Sequence, residues 1–175
     1  MMDVQIREAR PQDAEAIGRL GRQTFIDTFV EGFGIPYPAK DLETYLNDSF
    51  SPAAMTTKLA EPGAIWWVAE TDLGLVALAN AGPNSLPHPQ ATREHAELRR
   101  LYVSRSAQGL GIGSRLLAES LDWMQAHTAG PLWIGVWSGN RRAQALYAAH
   151  GFKKVGDYQY PVGSWMDDEF IMMRP

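Results

Sequence analysis

The chain is predicted to fold as an α/β (α+β) protein around one central sheet, and three features of its sequence lead to that class. Its 175 residues suit one domain, 1–175, with enough chain to bury a sizeable core. A composition of 45% hydrophobic and 21% charged residues is that of a globular protein and excludes wholesale disorder. Segments of alternating polarity are interleaved with helical apolar stripes, and the second half reads strand–helix–strand–helix.

Each element has a local cause. Residues 4–9 (VQIREA) alternate as a half-buried strand does. Pro11 and Asp13 open a helix that carries Ile17 and Leu20 at helical spacing and runs towards Phe25 and Phe29. Gly32, Gly34, Pro36 and Pro38 mark a loop. Leu42, Tyr45 and Leu46 form the apolar stripe of a short helix. Ser51 before Pro52 is an N-cap and first-turn pair for another, with Met55 and Leu59, ended by Glu61-Pro62-Gly63. Residues 65–70 (IWWVAE) and 75–80 flank a turn and form a hairpin. The longest loop, 82–95, is rich in Gly, Pro, Asn and His. A strand follows at 97–103. The clearest helix is 112–127, with Ile112, Leu116, Leu117, Leu121 and Met124 on one stripe. Residues 132–137 read as a buried strand and 140–150 as a helix stopped by Gly151. Two closing strands are expected around 155–160 and 166–173.

Several function classes fall away. A net charge of −4 argues against a nucleic-acid specialist. The absence of cysteine removes disulfides, thiolate metal sites and a cysteine nucleophile. No apolar stretch approaches the ~20 residues that span a bilayer. The N-terminal MMDVQIREAR lacks the apolar core of a signal peptide. The expectation is therefore a cytoplasmic protein with no membrane partner. His88, His95, His127 and His150 show no metal-ligand spacing, so no metal is expected. The charge is unevenly spread, −6 over residues 1–92 and +2 over 93–175. Chance placement of solvated side chains accounts for this. So does a division in which the second half receives an anion and the first half a cation.

The most informative segment runs from Glu97 to Ser114, ELRRLYVSRSAQGLGIGS. A strand enters a loop containing Gly109, Gly111 and Gly113, and a helix starts at once. Free amides at a helix N-terminus, helped by its dipole, form an anion site, and glycines let the backbone approach phosphate closely. A P-loop would need Lys then Ser or Thr after the last glycine, where Ser114 and Arg115 stand. A dinucleotide fingerprint reads G-x-G-x-x-G, and this loop reads G-x-G-x-G. Both nucleotide classes are disfavoured. Simple helix–strand packing stays open.

Residues 108–113, Q-G-L-G-I-G, resemble the Q/R-x-x-G-x-G/A signature of the GNAT superfamily of acyl-CoA-dependent N-acetyltransferases. The preceding ELRRLYV, the strand LWIGVW and N-R-R-A-Q-A-L-Y-A-A-H-G-F at 140–152 extend the likeness. The resemblance implies a mixed, mostly antiparallel sheet of about seven strands, twisted and splayed, with helices on both faces. It implies acetyl-CoA as donor, its pyrophosphate on the backbone of Gln108, Gly109, Leu110, Gly111, Ile112, Gly113 and Ser114. Its pantetheine arm would lie along Leu101, Tyr102 and Val103. A splay also has a local sign: Leu98, Leu101 and Val103 cannot share one face at period 2 without a bulge near Arg99-Arg100. Asn140 matches a cofactor contact by motif position and is also a natural helix N-cap.

By the same resemblance Tyr147 is the general acid, its phenol protonated at neutral pH with an ordinary pKa of ~10. Packing beside Leu146 is its plainer role. Glu97 stands where some relatives carry a catalytic base; an exposed strand-edge carboxylate and water-mediated deprotonation stay open. His95 is a lesser candidate, being a loop residue that titrates near neutrality. The implied activity is transfer of acetyl to the primary amine of a small molecule by direct attack. A protein or peptide N-terminal acetyltransferase and a non-catalytic acyl-CoA sensor are the alternatives. T-F-I-D-T-F at 24–29, with Asp41-Leu42 and Tyr45-Leu46, resembles a polyamine acetyltransferase branch and suggests a cationic acceptor. A homodimer is compatible with the resemblance. Asp167-Asp168-Glu169 reads as a solvated turn between strands, with a part in the acceptor mouth as the alternative. Trp66-Trp67 point their indoles to opposite faces, so that one reaches a cavity.

Overall fold

The computed structural model describes residues 3–175; Met1 and Met2, the start of the segment read for a signal peptide, lie outside the described residues. The expected strands pair into one seven-stranded sheet of order β1-β2-β3-β4-β5-β7-β6. They are β1 (Gln5–Glu8), β2 (Ile65–Thr71), β3 (Gly74–Pro83), β4 (Ala96–Val103), β5 (Leu132–Trp137), β6 (Lys153–Val162) and β7 (Trp165–Arg174). All neighbours run antiparallel except β4 and β5. Helices α1 (Ala14–Phe25), α2 (Ala39–Phe50) and α3 (Pro52–Leu59) cover one face, and α4 (Ile112–His127) and α5 (Arg141–Ala149) the other. Among the described residues, no helix is long and apolar enough to cross a membrane.

The two faces are packed differently. Ala69, Ala77, Ala79 and Ala81 present small side chains to α4, whose Ile112, Leu116, Leu117 and Met124 are almost wholly buried against them. On the other face Trp66, Val68 and Leu78 meet Ile17, Phe25, Tyr45, Leu46, Phe50 and Met55. Trp66 and Trp67 do point to opposite faces, but both are core residues and neither reaches the pocket described below.

Helix α1 lies close to the end of α2 because it carries glycine where they touch. A Cβ on Gly18 would run into the Phe50 carbonyl oxygen, and one on Gly21 into the Phe50 ring. Gly18→Ala is therefore expected to lower stability by on the order of 1–3 kcal/mol, although alanine is the better helix former by about 1 kcal/mol. Urea denaturation checks this, and a midpoint at or above the wild type contradicts it. Ser51 caps α3 as expected, its Oγ accepting from the Ala54 amide at 3.2 Å.

Three expectations need correction. The first helix does not run evenly to Phe29: after Phe25 the chain widens into a π-helical segment, Ile26–Gly32. Strand β3 continues to Pro83, so the long loop is 84–95. Asp167-Asp168-Glu169 is not a turn but part of β7; the turn is made upstream, where Gly163 takes φ +60°.

Candidate active site

The site begins with a bulge in β4. Asn80 pairs with Arg100 and Ala81 with Leu98, leaving Arg99 as the extra residue. The alternation is thereby reset. Leu98, Leu101 and Val103 pack with the α4 side, while Glu97, Arg100 and Tyr102 share the α1–α2 side. Arg99 turns to Glu61, with hydrogen bonds of 2.7 and 3.1 Å, and donates to the Pro83 carbonyl at 2.7 Å. Parallel pairing of β4 with β5 stops after Leu98 and Ile134. The two strands then part, and the β4 edge from Arg99 to Val103 has no strand partner. A pocket of about 790 Å³, including its open mouth, occupies this gap. Phe25, Phe29 and Tyr45 line it from one side of the sheet and Asn140, Ala143 and Tyr147 from the other.

The pocket brings together five of the residues singled out from the sequence: Glu97, Leu101, Tyr102, Asn140 and Tyr147. Tyr147 is buried on α5, and its hydroxyl has no protein hydrogen-bond partner among the described residues. Burial pushes its pKa up to about 12, so the phenol keeps its proton at neutral pH. Asn140 caps α5, its Oδ1 accepting from the Ala143 amide at 3.1 Å. Glu97 is not the exposed edge carboxylate that one reading allowed: it is only 6% exposed and accepts from the amide (2.8 Å) and hydroxyl (3.0 Å) of Ser85. Burial raises its pKa against the pull of those two bonds. His95 lies outside the pocket wall, stacked on Trp133 and accepting from its Nε1 at 3.1 Å.

Glu169 stands where the second of its two sequence readings put it, at the pocket, and not in a solvated turn. It pairs across strands with Tyr158, whose hydroxyl donates to it, and it lines the pocket. Burial raises its pKa to about 7, opposed by the Tyr158 hydrogen bond and helped by Asp167 and Glu97. The signal available was Gly163-Ser164, a two-residue hairpin pair that places the turn upstream and leaves Asp167-Asp168-Glu169 to the strand that follows. Neighbouring Asp167 is also buried, accepting from the hydroxyl of Tyr37 and from Trp165 Nε1 at 3.0 Å.

The raised value gives Glu169 a signed stability effect. Its ordinary value is 4.5, so between about pH 4.5 and 7 the native state binds the extra proton, and stability falls as pH rises through that window. Glu169→Gln removes the cost of charging. It is expected to stabilise the fold by on the order of 1–3 kcal/mol more at pH 8 than at pH 5. Thermal melts at both pH values check this, and an equal effect at the two contradicts it.

The glycine loop stands beyond the end of β4, outside the pocket wall. Gly109 and Gly111 adopt φ +79° and +75°, and a Cβ on either would meet nothing within 4 Å. The amides of residues 109–114 find no protein acceptor among the described residues. They form an open cradle at the N-terminus of α4, where the helix dipole favours an anion. Gln108 Nε2 donates to the Val103 carbonyl at 3.2 Å, Leu110 is exposed and Ile112 is core, so these residues offer backbone, not side chains, to a ligand. Arg105 is engaged by Glu31 at 2.9 Å and Asp27 at 3.8 Å. An open amide cradle beside an unpartnered strand edge fits a molecule with phosphate at one end and an amide-bearing arm.

The acidic first half does not supply the pocket's negative charge. Both pocket carboxylates, Glu97 and Glu169, belong to the second half. Asp13, Glu15, Glu43, Glu61 and Glu70 are instead paired with arginines. What the first half brings to the pocket is aromatic.

Comparison with known proteins agrees with this geometry. Residues 23–152 match the acetyltransferase (GNAT) family. An N-acetyltransferase from the pepI 3′ region of Lactobacillus delbrueckii subsp. lactis is 21% identical over 99% of this chain and 98% of its own. The N-alpha-acetyltransferase RimI of Mycobacterium tuberculosis is 33% identical over 63% of this chain and 65% of its own. Some other curated relatives are spanned for about half their length, as with mouse N-acetyltransferase 8B (50%). The fold is shared with PaiA N-acetyltransferase from Thermoplasma acidophilum, solved in complex with coenzyme A, at a TM-score of 0.76 and 20% identity over 99% of both chains. A loop, a splayed strand pair and a family match covering most of the sequence thus converge: the chain belongs to the GNAT family of acetyl-CoA-dependent N-acetyltransferases.

Proposed function

We propose that the protein acetylates the primary amine of a small molecule by direct attack within the pocket between β4 and β5. The observation that carries this reading is the composition of the pocket wall. Among its five tyrosines, four have hydroxyls bonded to protein groups, and Tyr147 offers a buried, protonated phenol that is not; with it stand two carboxylates of raised pKa, around a gap that opens towards an unpartnered strand edge. Acetyl-CoA supplies the activated acyl group, held by the amides of residues 109–114 and the edge at Leu101–Val103, with Asn140 beside it.

Two protons must move. The acceptor amine attacks only when neutral, and the Glu97–Glu169 pair takes its proton. Two carboxylates that share one low-dielectric pocket titrate as a unit, so the apparent pKa belongs to the pair. Tyr147 gives its proton to the departing thiolate. Aromatic side chains, Phe25, Phe29 and Tyr45 among them, line the acceptor end. A second reading, acetylation of protein N-termini, is favoured by the relative named N-alpha-acetyltransferase. Mass spectrometry after incubation with acetyl-CoA, using a library of small amines beside N-terminal peptides, separates the two. Small amines acetylated with the higher kcat/KM support the proposal, and peptides acetylated in their place overturn it.

A further inference from the structure

Resting on that reading, we propose that the acceptor carries a carboxylate as well as its amine, and that Arg100 receives the carboxylate. A guanidinium offers five N–H donors in one plane. In Arg100 only Nη1 finds protein partners, the hydroxyls of Tyr45 and Tyr102, each at 3.5 Å. Among the described residues no carboxylate lies within ion-pair distance of it. The other arginine of the pocket wall, Arg99, is committed to Glu61. Glu97 and Glu169 hold their own partners, Ser85 and Tyr158.

The guanidinium is also held in place. It lies over the Phe50 ring, 4.9 Å from its centre, and 6.0 Å from that of Tyr102. The β4 bulge puts it on the α1–α2 side of the sheet, the same side as Glu97 and Tyr102. Tyr45 and Tyr160, whose hydroxyls are 2.9 Å apart, stand beside it with further O–H groups. The half-buried guanidinium thus keeps N–H donors free towards the pocket with no carboxylate in ion-pair distance among the described residues, and a ligand that brings an anion supplies their partner. The planar fork suits a bidentate oxyanion. One unpaired cation in the wall, with no lysine, matches a single negative charge, which favours carboxylate over phosphate. A polyamine, by contrast, would set a second ammonium against Arg100.

The test compares ω-amino carboxylates, from glycine upward, with alkylamines and diamines of the same lengths, measured with wild type, Arg100→Met and Arg100→Lys. In the wild type the best amino carboxylate is expected to exceed its matched alkylamine by about 100-fold or more in kcat/KM. Arg100→Met should compress that ratio to about 10-fold or less, mainly by raising KM for the carboxylate. Arg100→Lys keeps the charge without the planar fork, so it should fall between, and it carries the test where Arg100→Met does not fold. Wild-type preference for diamines or alkylamines, or a ratio unmoved in the variants, overturns the inference while leaving small-amine acetylation standing. Failure to acetylate any amine overturns both.

Discussion

Tyr147→Phe is expected to lower kcat by about 10²–10³-fold while changing CoA affinity by no more than a few fold. The substitution removes one oxygen from a side chain whose ring is already packed, 6.4 Å from Phe152 and enclosed by the core between α5 and the sheet. The ring can stay where it is, because among the described residues the hydroxyl has no hydrogen-bond partner to lose. What is lost is a proton donor held in its neutral form by burial. Since the proposed role of Tyr147 is to protonate the thiolate as it departs, the loss is expected in the chemical step and not in binding. Steady-state kinetics with a calorimetric Kd for CoA checks both halves. An unaltered kcat would return Tyr147 to a packing role.

Gly111→Asp should have the larger effect on the donor, weakening CoA binding by about 100-fold or more. Two costs add. At φ +75° a side chain is strained by roughly 1–2 kcal/mol. Its carboxylate would then enter the open cradle of amides 109–114, opposing the negative charge that the cradle attracts. Nothing stands within 4 Å of the new Cβ, so the variant is expected to fold with only the backbone penalty. Retained affinity, measured by titration calorimetry, would mean that the loop is only a strand–helix connection.

How much of this was legible in the sequence depends on the range of the interaction concerned. Helix α4 and strand β5 have the bounds that their apolar patterns predict, because each is a strong local period between clear breakers. The bulge was also legible: three apolar residues in β4 could be brought to one face only by an extra residue, and Arg99 is that residue. Ser51 and Asn140 announced their caps by residue type alone.

What escaped depended on distant partners. Glu169 looked like solvated charge because nothing in its own segment shows that Tyr158 faces it across two strands. Arg100 looked like one of a basic pair, and only the bulge separates its fate from that of Arg99. The charge asymmetry misled for the same reason. A count along the chain cannot see that many of the first half's carboxylates are spent on arginines such as Arg7 and Arg99, and that none lines the pocket. The cationic-acceptor expectation rested partly on that count, and the pocket's unpaired guanidinium points the other way.

The sites proposed for donor and acceptor share one structural device, the departure of β4 from β5 after Leu98, which leaves a strand edge unpartnered and opens the pocket. Amide hydrogen exchange with and without CoA tests it most directly. CoA should slow exchange at residues 109–114 and along 101–103, and leave the α1–α2 segment unchanged. Protection confined to other surfaces, such as the groove between the end of α4 and Arg174, with residues 109–114 unaffected, would contradict the account.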